Sequence, residues 1–199
     1  MKLILGLVFF LLFFNGYAQL PENQFLYGNL GFSLGNFWGG TVGINFAVNN
    51  KYSLQLEYSG TSRKSKSVPS DYVIGLFDVF SFGTTTPKDR IQSLRFLAGK
   101  VKTIDQSGIV RINFKAGISY LTITEPYGWE KTNSVFIKSN YTWKYNTTHQ
   151  IGFVLKPEFE SLFANFIGVS ITPYCELTTN YNAFGIEFGV LLGKVKSNL

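Results

Sequence analysis

From about Gln24 to the end of this chain, apolar residues return at every second position and form no helical stripe of useful length. A period of two is the spacing of side chains on one face of a strand, so the segment reads as β-structure throughout. The clearest runs are Val42, Ile44, Phe46 and Val48; Leu54, Leu56 and Tyr58; Val110, Ile112, Phe114, Ala116, Ile118 and Tyr120; Ile151, Phe153, Leu155, Pro157 and Phe159; Ile167, Val169, Ile171 and Pro173; and Phe184, Ile186, Phe188, Val190 and Leu192. Two weaker runs complete the set: Leu26, Gly28, Leu30, Phe32 and Leu34, and Leu94, Phe96 and Ala98. Beyond Phe14, nothing approaches the roughly eighteen consecutive apolar residues of a spanning helix. If the chain crosses a bilayer, it must do so as a closed barrel, because an open sheet would leave backbone groups unpaired in hydrocarbon.

The opening residues point to export. Lys2 precedes an uncharged apolar run, Leu3 to Phe14, and small residues follow at Gly16 and Ala18. This is the pattern of a secretory signal peptide, with cleavage between Ala18 and Gln19. The run of about twelve residues falls short of the twenty or so a membrane-spanning helix needs. The organisation expected is therefore a leader over 1–18 and one domain over 19–199. Cys175 is the single cysteine, which excludes an intrachain disulfide and a multi-cysteine metal site. Charged residues make up 15% of the chain, against about 25% in a soluble domain, so the surface is not expected to lie wholly in water. The net charge of +6 falls to +5 when Lys2 leaves with the leader. It forms no nucleic-acid patch, and no nucleic-acid partner is expected.

The alternating runs predict eight strands, near 24–35, 39–49, 51–62, 90–102, 109–124, 148–161, 165–178 and 182–195. Each reaches the roughly nine to eleven residues that a tilted strand needs to cross the hydrocarbon. The second, fourth and sixth connections are all short: Asn49-Asn50-Lys51, Ile104 to Gly108, and Ser161 to Ala164. The two long ones, 63–89 and 125–147, fall on the other side, with short links at Asn36-Phe37-Trp38 and Thr179-Asn180-Tyr181. Outer-membrane barrels sort their connections in this way, whereas a β-sandwich has no reason to.

On these residues, the chain resembles the eight-stranded outer-membrane barrels of the OmpA, OmpX and OmpW kind, particularly the small barrels of Bacteroidota. The leader ending Tyr17-Ala18-Gln19, the eight runs, and the closing strand Phe184 to Gly193 carry the resemblance. It implies an all-β, antiparallel, up-and-down transmembrane barrel in the outer membrane. It departs at the end, where such barrels often finish on an aromatic residue and this one finishes Lys194-Val195-Lys196-Ser197-Asn198-Leu199.

If the apolar set faces lipid, the alternate set faces the lumen and should be polar or small. That set holds Asn29, Asn45, Gln55, Asn113 and Tyr174, interleaved with Gly31, Gly43, Gly99, Gly117, Gly152, Gly168, Gly185 and Gly189. It also holds Glu57, Arg95, Arg111, Lys115, Lys156, Glu158, Glu160, Glu176 and Glu187. Ionic groups in so narrow a space must pair, which predicts a salt-bridged plug without an open pore. The competing reading is a narrow ion path along Lys156, Glu158, Glu160 and Glu176.

Tyr58 and Tyr120 fit an aromatic girdle. The 125–147 loop holds too many aromatics for one belt: Tyr127, Trp129, Phe136, Tyr141, Trp143 and Tyr145. Within that group, Tyr127, Trp129, Tyr141 and Trp143 are the candidate contact residues for a partner. The 63–89 loop carries an apolar run, Tyr72 to Phe82, read as a helix or hairpin over the mouth or as an extension of the wall. Before it stands Arg63-Lys64-Ser65-Lys66, suited to lipopolysaccharide phosphates or simply solvated.

Catalysis would need a full constellation. His149 is the only histidine and reads as an isolated loop residue without a His-x-Ser pair. No cofactor or metal motif appears. The function expected is a non-enzymatic outer-membrane barrel with a closed lumen. Its expected partners are outer-membrane lipid and lipopolysaccharide, and an envelope protein or external ligand met through loops 63–89 and 125–147. The alternatives are a soluble lipocalin-like barrel with an apolar lumen, and a lipid-modifying outer-membrane enzyme.

Overall fold

The computed structural model describes residues 21, 23–76, 80, 86–105, 107–132 and 139–196. The leader and its cleavage site lie outside these, as do Phe136, Ser197 to Leu199 and much of the apolar run ending at Phe82. Eight strands follow one another: β1 (Gln24–Gly35), β2 (Trp38–Val48), β3 (Tyr52–Lys64), β4 (Lys88–Thr103), β5 (Val110–Lys131), β6 (Tyr141–Leu162), β7 (Ile167–Leu177) and β8 (Asn182–Gly193). Each pairs antiparallel with the next, and β1 pairs with β8 from Tyr27↔Gly193 to Gly35↔Gly185, closing the barrel.

The apolar set points outward on every strand. Leu30, Leu56, Phe96, Phe114, Ile151, Phe153 and Phe188 are exposed, while Asn29, Gln55, Glu57, Arg95, Lys115 and Glu187 are buried. A barrel that held an apolar ligand would need the reverse assignment. The tight turn between β2 and β3 has positive φ at Asn49 (55°) and Asn50 (50°), and Lys51 N–H donates to the Val48 carbonyl at 3.0 Å, the arrangement of a type I′ turn, whose two central positions asparagine tolerates.

Three expectations are corrected. The 125–147 segment is not a loop, because β5 and β6 continue paired past Thr124↔Thr147 to Lys131↔Tyr141, with a register shift between Tyr127 and Glu130. Only 132–140 separates the two strands. The physical reason is that alternation reports two different environments on the two faces of a strand. Above the barrel rim Thr142, Asn146, Thr147 and Thr148 meet water on either face, so the alternation stops while the hydrogen-bond ladder goes on. His149 accordingly sits on β6 opposite Thr122 and not in a loop. The third correction concerns the end: β8 stops at Gly193, whose φ of 129° turns the chain inward, and Val195 is fully buried.

The β6–β7 ladder is the thinnest seam. Pairing runs from Phe153↔Leu177 to Leu155↔Cys175 and resumes only at Phe159↔Ile171. The constant register sets Pro157 of β6 opposite Pro173 of β7, and neither can donate a ladder hydrogen bond.

One close approach fixes a glycine. A Cβ on Gly117 would lie 2.0 Å from the Phe96 carbonyl oxygen of the adjoining strand, whereas one on Gly60 would meet nothing within 4 Å. Gly117→Ala should therefore cost about 1–3 kcal/mol as an overpacked site. Gly60→Ala should stay within about 0.5 kcal/mol of the parent. Urea unfolding of the two refolded variants, side by side, checks the contrast.

Candidate functional site

The odd-numbered inward positions of β3, β4, β5 and β8 and the even-numbered ones of β6 and β7 deliver ionic side chains to one central layer of the lumen. Glu57 is its hub. Its carboxylate accepts from Arg95 at 2.7 Å, from Lys156 Nζ at 2.7 and 2.9 Å, and from the Gln55 amide at 2.8 Å. Arg95 donates its other arm to Glu176 at 2.5 Å, and Glu176 also accepts from the Ser93 hydroxyl at 2.6 Å. Lys156 reaches on to Glu187 at 3.1 Å.

A second branch leaves through Gln55, whose side-chain oxygen accepts from Lys115 at 2.7 Å. Lys115 also donates to Asn45 at 3.0 Å and is ion-paired with Glu158. Nearest the termini, Arg111 pairs with Glu160, donates to the Val195 carbonyl at 2.8 Å, and stacks 5.3 Å from the Tyr27 ring. The Tyr27 hydroxyl donates to Glu160 at 3.2 Å. All nine ionic residues singled out from the sequence are thus buried, and each has an opposite charge beside it. Desolvation is costly for every one of them alone, so pairing and the surrounding amides are what make this layer tenable.

Two apolar clusters that the sequence reading missed lie on either side of the ionic layer. Phe25, Tyr27, Ala47, Leu162, Leu191 and Val195 pack at the end that carries the termini. Phe37, Ile91, Leu121, Ile123, Tyr174 and Ala183 pack toward the long connections, with Tyr181 against them. Above this second cluster Arg63 lies 4.3 Å from the Phe37 ring and pairs with buried Asp89 at 2.9 Å, while the Tyr181 hydroxyl donates to Glu125. The signal was available: Phe25 and Tyr27 share the parity of Asn29, and large apolar residues on the polar parity near strand ends mark lids within a lumen.

The candidate contact residues divide. Trp129 and Trp143 have ring centroids 5.5 Å apart, and Tyr141 lies 6.3 Å from Trp129. Tyr72 packs 6.2 Å from each tryptophan, so these aromatics are partly consumed in joining the 65–87 connection to the β5–β6 hairpin. Tyr127, half exposed, belongs to none of these ring contacts. The same junction is tied by Val73 N–H to Asn140 at 2.7 Å, by Asn140 to the Asp71 carbonyl at 2.8 Å, and by Ser67 to the Pro126 carbonyl at 2.9 Å. Asp71 accepts from Lys131 and from the Tyr141 hydroxyl, both at 2.7 Å. Those two hydrogen bonds hold the Asp71 carboxyl below its ordinary value and raise the Lys131 ammonium and Tyr141 phenol. His149 stacks on Tyr120 at 5.7 Å on the outside of the wall, bonded to Thr122, away from the lumenal carboxylates.

No protein-family model matches the chain, and no curated protein matches it by sequence. Among solved structures, it is similar to Ail, the attachment invasion locus protein of Yersinia pestis, at 8% identity and a TM-score of 0.51, covering 85% of this chain and 96% of that one. It is similar also to the N-terminal β-barrel domain of Pseudomonas aeruginosa OprF, at 9% identity and a TM-score of 0.50, with 85% and 96% covered. The chain has the fold of the small eight-stranded outer-membrane barrels. In that fold the eight apolar faces described above form the outside of the barrel and the ionic layer its interior.

Two outcomes follow from this geometry. Glu57→Ala strips a partner from both Arg95 and Lys156 and should cost about 3–5 kcal/mol, the penalty for orphaning a buried charge. A double-mutant cycle with Lys156→Ala, read by urea unfolding, should then recover part of that loss. For the Asp71 junction the sign is that of a depressed carboxyl: its contribution holds above the ordinary aspartate range and disappears as pH falls through the lowered folded value. Trp129 and Trp143 fluorescence should therefore change on the acid side of about pH 4, and Asp71→Asn should abolish that change.

Proposed function

We propose that the mature chain, exported by the leader Met1 to Ala18, is a non-enzymatic outer-membrane barrel. Its lumen is closed, and it works through the surfaces it presents outside the membrane. The observation that carries this reading is the orientation of the wall: apolar residues outward over eight strands, and nine paired ionic residues inward between two apolar clusters. A soluble barrel would gain nothing from an outer surface of leucine, phenylalanine and isoleucine. An open pore would need a continuous wet path, and here Phe25, Tyr27 and Val195 fill one end while Phe37 and Tyr181 fill the other.

The partners that suit this arrangement are outer-membrane lipid and lipopolysaccharide along the wall. An envelope protein or external ligand would meet the β5–β6 hairpin and its docked 65–76 segment, where Val73, Ile74, Leu76 and Tyr127 are exposed. No cofactor is called for.

Fractionation with a heat-modifiability gel tests the first claim. The chain should be recovered with outer membranes and should run faster unboiled than boiled. Recovery as a soluble periplasmic protein without a mobility difference would reject it. Planar bilayers test the second claim, where a large stable conductance would contradict the closed lumen.

A further inference from the structure

We propose that the outer wall of β3 and β4, just above the aromatic girdle, binds the phosphorylated sugar headgroup of an outer-leaflet glycolipid of the lipid A class. This rests on the outer-membrane reading above and adds to it the place and the chemistry of the contact.

The register defines the height. Across β2 to β6, the outward row Val42, Tyr58, Leu94, Tyr120 and Ile151 is the last made of apolar and aromatic residues alone. Two residues higher the row is Gly40, Gly60, Gln92, Thr122 and His149, and the next is Trp38, Ser62, Arg90, Thr124 and Thr147. Above it, Lys64 stands directly opposite Lys88. The wall therefore passes from hydrocarbon-facing to cationic within about three rows, at the depth where headgroup phosphates lie.

Two like charges directly opposite on one sheet face repel, and Arg90 is a diagonal neighbour of Lys64, about 7–8 Å away on such a ladder. Among the described residues, no carboxylate forms an ion pair with Lys64, Lys88 or Arg90. Asp89 is buried in the lumen against Arg63 at 2.9 Å, and Asp71 is held by Lys131 at 2.7 Å. Aromatic rings bracket the three cations: Lys88 Nζ lies 5.5 Å from the Trp38 ring and Arg90 Cζ 5.8 Å from that of Tyr145.

The cluster is also one-sided. The upper ends of β1, β7 and β8, on the opposite wall, carry no lysine or arginine. Lys131 and Lys144 stand at the upper ends of β5 and β6, and Lys131 is paired with Asp71. A planar guanidinium beside two ammonium groups, framed by interfacial aromatics, suits a phosphate monoester set in a sugar headgroup.

The test uses the mature barrel in neutral detergent micelles, in a Trp129→Phe/Trp143→Phe background that leaves Trp38 as the only tryptophan. It is titrated with lipid A carrying both phosphates, with the same lipid dephosphorylated, and with phosphatidylglycerol. Trp38 emission should respond saturably to the phosphorylated lipid A alone. Lys64→Gln/Lys88→Gln/Arg90→Gln should weaken that binding about a hundredfold and Lys64→Gln alone about fivefold, the size of one cation's attraction to an anionic leaflet. Lys100→Gln/Lys102→Gln, at the opposite rim, should leave it unchanged, and the unboiled gel shift verifies folding in each case. Unaltered affinity in the triple variant, or equal response to phosphatidylglycerol, overturns the site. Failure of the broader reading looks different, because the parent chain would then show no heat-modifiable band at all.

Discussion

On the outer-membrane reading proposed above, hydrocarbon offers no partner to a backbone N–H or C=O, and the rest of this structure follows from that. A chain without a long apolar helix can satisfy its backbone in a bilayer only by pairing every strand on both sides, which forces β1 to meet β8. Closure in turn makes two environments from one sheet. Alternate residues then face lipid or lumen with no freedom to exchange, since a register slip of one residue would put Glu57 and Arg95 into acyl chains and Leu56 and Phe96 into the interior. The ionic layer thus guards register as much as it fills space.

Where the ladder is weakest, the constraint is visible in another way. Pro157 and Pro173 face each other across β6 and β7 and remove donors from a seam at the level of the lumenal charges. Directly inside that seam stand Lys156 and Glu158, both tied to partners on other strands. Cross-barrel ion pairs hold together through the lumen what the backbone does not hold along the wall. The two apolar clusters complete this arrangement by keeping water from the pairs, which strengthens each of them.

Much of the wall was legible residue by residue. The outward set read from the alternation is the outward set observed, because an apolar exterior on one face and a crowded polar lumen on the other impose a period of two that turns and loops cannot imitate. The lumenal charges were legible for the same reason. What escaped was wherever one of the two environments ends. The upper halves of β5 and β6 looked like a loop because water bathes either face of residues such as Thr142 and Asn146. Phe25, Tyr27, Phe37 and Val195 were not recognised as lids because apolar residues on the inner parity break the very pattern used to find the wall.

Sequence alone determined the strand class, the count of eight, the sidedness of the connections and which charged residues face inward, since each depends on spacing along one chain. It could not decide which cation meets which carboxylate, that Glu57 would serve both Arg95 and Lys156, or that Tyr72 would pack on tryptophans more than fifty residues away. Nor could it show that Lys64, Lys88 and Arg90 would share one face without a counter-charge among the described residues. Those relations depend on the stagger between neighbouring strands and on the closure of the ring, which set distances across the barrel that no local pattern encodes.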